Sequence, residues 1–335
     1  MKLATLKDGT RDGQLAVVSR DLKTAHLADG IAPTLQKALD DWTFIAPQLD
    51  LLYQTINSGR GHRAFDFDPA NCMAPLPRSS QRVVGAAYLQ RIERACKAAG
   101  QDIPGDLREA PRLVQGASDT FLGAQDAIEL AYEQWGIDYE AGVAVITDDV
   151  ALGATADQAH MNIKLLMLVN DISLRNLQQA EEASGYGLVQ AKPAMACSPV
   201  AITPDELGDS WRGGKVHLPI RCSLNGKLTG QPQAGADMAF NYPQLLAHLC
   251  QTRPARAGSV ISAGGVANKE VKKGFSSIVE RRCQELHADG VISTPYMLFG
   301  DTLRIDMLGD DGKSLFGAIE QVVRQAETRR SRQAN

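Results

Sequence analysis

The chain lacks the cysteine and histidine spacings that usually build metal sites or disulfide frameworks. Its six cysteines, at positions 72, 96, 197, 222, 250 and 283, include no CxxC pair, so neither a zinc knuckle nor a disulfide framework is predicted. Its six histidines form no HxxxH or HExxH pair, which removes the common histidine-based metal motifs. We therefore expect reduced, mostly buried thiols and structural histidines.

A strong excess of charge and long apolar runs are also missing. The formal net charge is −4 and the basic residues are scattered, which gives no indication of nucleic-acid binding. The longest apolar run is far shorter than the roughly 20 residues of a membrane-spanning helix. Residues 1–9 become polar too early for a secretory signal. We therefore expect no nucleic-acid partner, no membrane partner and a cytoplasmic location.

The chain is long and rich in apolar residues, and prolines divide it. Its 335 residues, 44% of them hydrophobic, can bury a large core in two domains or in one with an accessory module. Strand-like pieces such as Leu15–Ser19 precede an apolar spacing over Thr34–Leu52 that is typical of a helix. Pro75-Leu76-Pro77 then predicts an extended joint. The predicted parts are a small N-terminal α+β domain, a larger domain and a frayed basic tail, at residues 1–75, 76–328 and 329–335.

The larger part has the pattern of a β-rich α+β fold. Helices are predicted near Gly85–Ala99 and Asp157–Leu165. After Arg175 the chain becomes rich in strands and turns, and Asn225-Gly226 predicts a hairpin because both positions accept positive φ. A second hairpin is predicted after Thr302–Met307. Because regular helices do not separate the strands, a doubly wound parallel sheet is not expected.

Two acidic residues stand at the ends of apolar segments. Glu140 opens the strand-like segment that ends at Thr147, and Asp171 closes the apolar run that begins at Leu165. An ionised carboxylate beside a water-excluded element is costly unless a metal, a cation or several donors compensate it. The pair therefore indicates a site. Strand alternation places Asp138 on the same face as Glu140, which makes Asp138 a further candidate metal ligand.

Five segments together resemble the fumarylacetoacetate hydrolase superfamily, and they occur in family order. The segments are Gly116–Gly123, Asp138–Ile146, Asn170–Arg175, Ala191–Ala194 and Arg304–Met307. Residues 1–75 resemble the small N-terminal module of the bacterial branch. The resemblance implies a mixed β-sheet roll in the larger domain, usually a homodimer, around a divalent metal site. It implies 1,3-dicarbonyl or 2-oxo acid substrates and C–C cleavage, decarboxylation, hydration or tautomerisation.

The resemblance also implies roles for particular residues. In the family, carboxylates hold Mg²⁺ or Ca²⁺, and the first glutamate of the strand pair falls on Glu140 and the metal aspartate of the NDxSxR segment on Asp171. In the family the metal chelates the dicarbonyl and stabilises the enolate, and a His–Glu pair activates water. The substrate-facing pair, the lysine that supports the oxyanion and the water-orienting glutamate fall on Arg175 with Gln178, Lys192 and Glu280.

Other family positions carry residues that cannot perform the family's chemistry. Val84 occupies the position of the first metal aspartate, and Arg91 that of the catalytic histidine; an arginine stays protonated and is a poor general base. Gly142 replaces the second glutamate of the strand, Gly265 replaces a hydroxyl residue, and Val114 replaces a frequent tyrosine. Hydrolysis by the usual water activation is therefore less expected than chemistry that needs only a stabilised enolate.

Two carboxylates alone would hold a hard divalent cation weakly. The sequence therefore implies a weak Mg²⁺ or Ca²⁺ site, or no metal. The gain of Arg91 suggests that its guanidinium extends toward Glu140 and Asp171 and neutralises charge that the metal normally cancels. Arg91 thereby joins Lys192 and Glu280 as a candidate catalytic residue.

Each candidate also has a purely structural interpretation. These interpretations are a local ion pair for Asp171 with Arg175, a strand-edge acid for Glu140, a solvated loop lysine for Lys192, a charged helix face for Glu280 and a surface arginine for Arg91. Two functions follow. The first is an enzyme acting on a small acidic dicarbonyl or 2-oxo acid, and the second is a catalytically inert family member that serves as a ligand-binding or assembly subunit.

Overall fold

The computed structural model describes residues 1–327, so the predicted basic tail at 329–335 lies outside the described residues. The strands are β1 Lys2–Leu6, β2 Gln14–Val18, β3 Thr24–Leu27, β4 Phe65–Asp66, β5 Gln81–Gly85, β6 Leu113–Gly116, β7 Ile128–Leu130, β8 Ile137–Asp138, β9 Ala141–Thr147, β10 Ile163–Asp171, β11 Ser173–Leu174, β12 Met195–Cys197, β13 Ala201–Ile202, β14 Trp211–Arg212, β15 Lys215–Val216, β16 Ile220–Leu224, β17 Lys227–Gly230, β18 Ser259–Ser262, β19 Thr302–Met307 and β20 Ile319–Gln325. The α-helices are α1 Leu35–Asp40, α2 Trp42–Asn57, α3 Leu89–Ala99, α4 Ala156–Met161, α5 Arg175–Ser184, α6 Tyr242–Leu249 and α7 Ile278–Asp289. Short 3₁₀ turns occupy Pro69–Asn71, Glu133–Trp135, Pro204–Ser210 and Val271–Lys273.

A large mixed sheet organises the chain. Its strand order is β4-β3-β2-β1-β13-β10-β9-β18-β5-β6, with β12 also paired to β10. The β18–β5 pair is parallel, whereas β9 and β10 pair antiparallel at its centre. The N-terminal strands join it through the β1–β13 pair, so residues before and after the proline joint share one sheet. The predicted α+β class is confirmed, while the boundary at 75/76 stays a prediction.

The two central strands are buried on both faces. All seven residues of β9 and all but Lys164 of β10 are buried, and alternate side chains enter two different apolar clusters. On one face they pack against a second sheet of order β17-β16-β19-β20-β7. On the other face they share a cluster with residues of α1 and α2. Strands that are buried on both faces have nearly continuous apolar sequences, which explains the long apolar run before Asp171.

The structure corrects three helix predictions. The apolar spacing over Thr34–Leu52 forms two helices, α1 and α2, because Asp41 leaves helical geometry at φ −139°. The helix predicted from Gly85 begins at Leu89, since Gln81–Gly85 pairs with β18 and β6. The helix predicted over Asp157–Leu165 ends at Met161 because the chain then enters β10.

Both predicted hairpins are present. Asn225 and Gly226 have φ of 51° and 75° in the turn between β16 and β17, as the sequence requires. Strand β19 turns back and pairs antiparallel with β20. Cysteines 72, 96, 197, 222, 250 and 283 are all free thiols and four of them are buried. Across residues 1–327, no helix is long and apolar enough to cross a membrane.

Candidate functional site

Glu140 and Asp171 become neighbours because β9 and β10 pair. Glu140 lies just before β9, Asp171 is the last residue of β10, and the Asp171 backbone N–H donates to the Glu140 carbonyl at 2.9 Å. The side-chain oxygen of Asn170 accepts from the Glu140 backbone N–H at 3.1 Å. Both acids are buried, with 7% and 3% of their surface exposed. Burial of two carboxylates side by side demands compensating charge.

Lys192 lies between these two carboxylates. Its Nζ is 3.0 Å from Asp171 Oδ2 and 3.4 Å from Glu140 Oε2, and it also donates to Ser173 Oγ at 2.7 Å. The ammonium therefore contacts both acids at once and uses its donors on them. A solvated loop lysine is not what the structure shows, since only 14% of the Lys192 side chain is exposed.

Three arginines also balance the negative charge of Glu140 and Asp171. Arg82 from β5 forms a charge-assisted hydrogen bond with Asp171, and Arg91 from α3 places Nη1 2.9 Å from Glu140 Oε1. Arg175, the first residue of α5, donates from Nη2 to Glu140 at 2.9 Å. The cluster runs from Arg82 on the Asp171 side to Arg91 and Arg175 on the Glu140 side, with the lysine between them.

Arg175 also bridges the cluster to a third carboxylate. Its Nε donates to Asp138 Oδ2 at 2.8 Å and its Nη1 donates to Gln178 Oε1 at 2.8 Å. Arg175 and Gln178, one helical turn apart, are thus in direct contact. Arg175 pairs with Asp138 and Glu140, so the pair with Asp171 that the i,i+4 spacing suggested is not the contact formed.

The surrounding cations govern the ionisation of Glu140. Burial by itself raises the pKa of a carboxyl, but Arg91, Lys192 and Arg175 outweigh it and hold the pKa of Glu140 well below its ordinary value. The Gly265 backbone N–H donates a further hydrogen bond to Glu140 Oε1 at 3.1 Å. Glu140 is therefore a stable anion and a weak base.

Asp138 also caps a helix. Its oxygens accept from the backbone N–H groups of Ile278 at 2.7 Å and Val279 at 3.0 Å, at the start of α7. These are otherwise unpaired donors of a helix N-terminus. Asp138 is completely buried, and both of its oxygens already hold donors.

Glu280 occupies a separate position beside the cluster. It is 3% exposed, pairs with Arg94, and its Oε2 has no hydrogen-bond partner. Burial raises the pKa of Glu280 more than Arg91 and Arg94 lower it. The residue is not on a solvated helix face, and it does not line the cavity that the other candidates share.

A cavity of about 240 Å³ opens onto the cluster. Ligand pockets for drug-sized molecules span about 300–1,000 Å³, so this one suits a small ligand. Its charged and polar lining comprises Arg82, Arg91, Gln115, Glu140, Asp171, Arg175, Gln178, Glu182 and Lys192. Two lining donors, Arg82 Nε and Arg91 Nη1, are buried without a hydrogen-bond partner. Arg91 Nη1 lies 2.9 Å from Glu140 Oε1, so its contact with this carboxylate is an ion pair.

The described residues do not suit a divalent metal. Across residues 1–327 no group of three or more His, Cys, Asp or Glu side chains could hold a metal ion. The three carboxylates that lie closest together each contact an arginine or a lysine. Hard divalent cations require several free oxygen ligands, and here guanidinium and ammonium groups occupy the oxygens.

Close contacts in this structure explain why two of the family positions carry glycine. A Cβ at Gly142 would lie 2.6 Å from the Gly264 carbonyl oxygen, so a second glutamate on this strand would collide with the backbone. A Cβ at Gly265 would overlap Arg91 Nη1 outright and lie 2.7 Å from Glu140 Cγ. The change to Arg91 and the change to Gly265 are therefore coupled in space.

The sequence predicts most residues of the cluster but does not indicate Arg82. The structure places seven predicted residues in or beside it: Arg91, Asp138, Glu140, Asp171, Arg175, Gln178 and Lys192. Arg82 was missed, and it rather than Arg91 pairs with Asp171. The available signal was a charged residue in an apolar strand, on the same face as Val84.

The structure thus combines a β-rich α+β fold with a buried cationic cluster beside a small cavity. Residues 1–78 match the family model of the fumarylacetoacetase N-terminal domain 2, and residues 82–324 match that of the fumarylacetoacetate (FAA) hydrolase C-terminal domain. Because the second match covers most of the chain, the chain belongs to the fumarylacetoacetate hydrolase family.

Relatives in this family have several activities. Oxaloacetate tautomerase YisK of Bacillus subtilis (strain 168) is 24% identical over 221 residues, 66% of this chain and 69% of that protein. The solved fumarylacetoacetate hydrolase of Exiguobacterium antarcticum has a TM-score of 0.63 at 17% identity and covers 97% of this chain and 100% of that one. Maleylpyruvate hydrolase of Sphingobium sp. SYK-6, solved with manganese(II) and pyruvate, has a TM-score of 0.64 at 15% identity and covers 98% and 100%. The two structures establish the shared fold, and the manganese complex shows that this fold can hold a divalent metal.

Proposed function

We propose that the cavity binds a small acidic 1,3-dicarbonyl or 2-oxo acid and that the chain catalyses tautomerisation or decarboxylation through its enolate. The observation that carries this proposal is that four cationic side chains, those of Arg82, Arg91, Arg175 and Lys192, line one small cavity. A carboxylate or enolate oxygen is the acceptor that suits such cationic donors, and charge-assisted hydrogen bonds of this kind are the strong ones.

The charge of the cluster favours an anion. Four cationic side chains face three buried carboxylates, which leaves one positive charge in excess: Arg82, Arg91, Arg175 and Lys192 against Asp138, Glu140 and Asp171. The Glu182 carboxylate at the rim is exposed and is screened by solvent. Fixed positive charge beside a forming enolate stabilises the transition state of enolisation.

The same arrangement makes hydrolysis of a C–C bond the less favoured reaction. Hydrolysis requires a base that activates water, and Glu140 is a weak base because Arg91, Lys192 and Arg175 hold its pKa low. Arg91, at the position of the family histidine, stays protonated. In decarboxylation the electron pair of the breaking C–C bond passes into an enolate that these cations stabilise, CO2 leaves and water returns a proton to carbon. In tautomerisation water takes the proton from the enol hydroxyl and delivers one to carbon, so neither reaction needs a side-chain base. The relative that is an oxaloacetate tautomerase is consistent with this choice.

Oxaloacetate is the substrate with which to test the proposal. Conversion of its enol to its keto form should be accelerated, or pyruvate released, and Arg91→Met should lower the rate about 10–100-fold, as expected for one lost hydrogen bond to a charged group. Arg108→Met is the matched control, because the Arg108 side chain is 68% exposed and forms a surface ion pair with Glu93 at 3.6 Å. No turnover of oxaloacetate or other 2-oxo and 1,3-diketo acids would contradict the proposal.

A second candidate function rests on the carboxylates. Cations contact all three carboxylates, so the buried cluster offers no free general base. A subunit that only binds a ligand does not need one. Thermal stabilisation by malonate without turnover of any acid would favour this binding function. The homodimer that the family resemblance implies belongs to either proposal, and sedimentation analysis tests it.

A further inference from the structure

Two glycines leave the space that the cavity's guanidinium groups occupy. A Cβ at Gly116 would lie 2.8 Å from Arg82 Nη1 and 3.0 Å from its Cζ. A Cβ at Gly265 would overlap Arg91 Nη1 and lie 3.0 Å from its Cζ. Neither glycine has positive φ, so backbone conformation does not require glycine at these positions. What requires it is room for the two arginines.

We infer that Gly116 and Gly265 position Arg82 and Arg91 so that the two guanidiniums take the place of a divalent cation, and the cavity binds carboxylates without metal. This inference rests on the proposed function, because it concerns the same cavity and the same class of ligand. It assigns the two glycines as positioning residues and the two arginines as the groups that contact the ligand.

The strand register supports the first pair. Arg82 and Gly116 are directly opposite each other in the β5–β6 ladder. Opposite residues of an antiparallel pair have their side chains on the same face. The missing side chain at Gly116 therefore opens the space beside Arg82, and the guanidinium fills it while reaching Asp171. A larger residue would crowd an arginine that is only 1% exposed.

The second pair connects a helix with a loop. Arg91 comes from α3, and Gly265 follows β18 and donates its backbone N–H to Glu140. The guanidinium can approach Glu140 because no side chain at 265 stands there. The same glycine therefore orients the carboxylate through its N–H and admits the cation that neutralises it.

The charges explain why a divalent ion is not needed. Lys192 already bridges Glu140 and Asp171 at 3.4 and 3.0 Å, the two carboxylates that would be needed to hold a metal. A divalent cation would have to displace the ammonium and approach the two arginines, against like-charge repulsion in a poorly solvated site. The guanidinium groups of Arg82 and Arg91, whose side chains line the cavity, then supply the contacts to ligand oxygens.

The test measures malonate binding to the purified full-length protein by calorimetry, once with excess EDTA and once with Mg²⁺. We expect the same dissociation constant within about twofold. Gly265→Ala and Arg91→Met should each weaken malonate binding about 10–100-fold, the effect of losing one hydrogen bond to a charged group. Gly105→Ala is the control, since its Cβ would meet nothing within 4 Å. Mn²⁺ titration followed by electron paramagnetic resonance should show no ion bound to wild type.

Gly265→Ala should remain folded, because the atoms nearest to the new Cβ are at the end of a flexible arginine and on the Glu140 side chain. Its unchanged circular dichroism and melting profile would separate lost binding from lost fold. Malonate binding that needs Mg²⁺ or Mn²⁺, or that survives in Gly265→Ala, would overturn the inference and leave the proposed function standing. Absence of malonate binding together with absence of oxaloacetate turnover would overturn both.

Discussion

Arg82 and Asp171 form a buried, charge-assisted hydrogen bond although their strands are not neighbours. Arg82 is in β5 and Asp171 ends β10, and β18 and β9 lie between them in the sheet. Both residues are almost fully buried, with 1% and 3% of their surface exposed. The contact ties one side of the large sheet to the strand that carries the acidic residue of the site, so it matters for stability as well as for charge.

Replacement of Arg82 by methionine should destabilise the protein strongly. Removing one partner of a buried ion pair leaves the other charge uncompensated and costs about 3–5 kcal/mol, here moderated by the Lys192 contact to Asp171. The change is measured by urea unfolding of Arg82→Met, Asp171→Asn and the double variant. The double variant should lose less than the sum of the two single losses, and strict additivity would contradict the pairing.

Replacement of Asp138 by asparagine should loosen the start of α7. The amide nitrogen of asparagine cannot accept a hydrogen bond, so one of the donors at Ile278, Val279 or Arg175 loses its acceptor. We expect a loss of about 1–3 kcal/mol in the free energy of unfolding. Hydrogen exchange of the first turn of α7 should accelerate, and α6 serves as the internal control. Unchanged protection of Ile278 and Val279 would show that Asp138 does not hold the helix.

The acid stability of the protein should depend on Glu140. Because the pKa of Glu140 in the folded state lies below the ordinary value of 4.5, its ionised form stabilises the folded protein above that pH. This contribution is lost as the pH falls through the folded-state pKa. The difference in free energy of unfolding between wild type and Glu140→Gln should be constant above about pH 5 and shrink below it. A difference that grows as the pH falls would contradict the charge assignment.

A side chain at position 142 should not be tolerated. The Cβ of Gly142→Ala would lie 2.6 Å from the Gly264 carbonyl oxygen, and overpacking of this kind costs about 1–3 kcal/mol. Gly105→Ala, whose Cβ would meet nothing within 4 Å, should change the melting temperature little. Equal melting temperatures of the two variants would mean that the backbone can move away, and that the missing glutamate has another cause.

The sequence predicts the parts of the site that depend on local pattern. Glu140 and Asp171 were found because each interrupts an apolar run, and burial makes a charge there costly. Alternation along the strand placed Asp138 on the same side, and Arg175 does join it to Glu140. The Asn225-Gly226 turn followed directly from its requirement for positive φ. These inferences need only one element each.

The parts that were missed depend on contacts between distant elements. Arg82 reaches Asp171 across 89 positions of sequence, and nothing near Arg82 indicates its partner. The sequence likewise gave no reason to place Lys192, rather than a guanidinium, between Glu140 and Asp171. Helix starts at Leu89 and strand entry at Ile163 were misjudged because sheet pairing overrides local periodicity.

We expect the protein's own cations, and no divalent ion, to balance Glu140 and Asp171 and to bind the ligand. A crystal structure of the protein grown with Mn²⁺ and malonate, with anomalous data at the manganese edge, tests it most directly. We expect malonate oxygens on the Arg82 and Arg91 guanidiniums, Lys192 still between the two acids and no anomalous peak in the cavity. A manganese peak coordinated by Glu140 and Asp171, with Lys192 displaced, would contradict it.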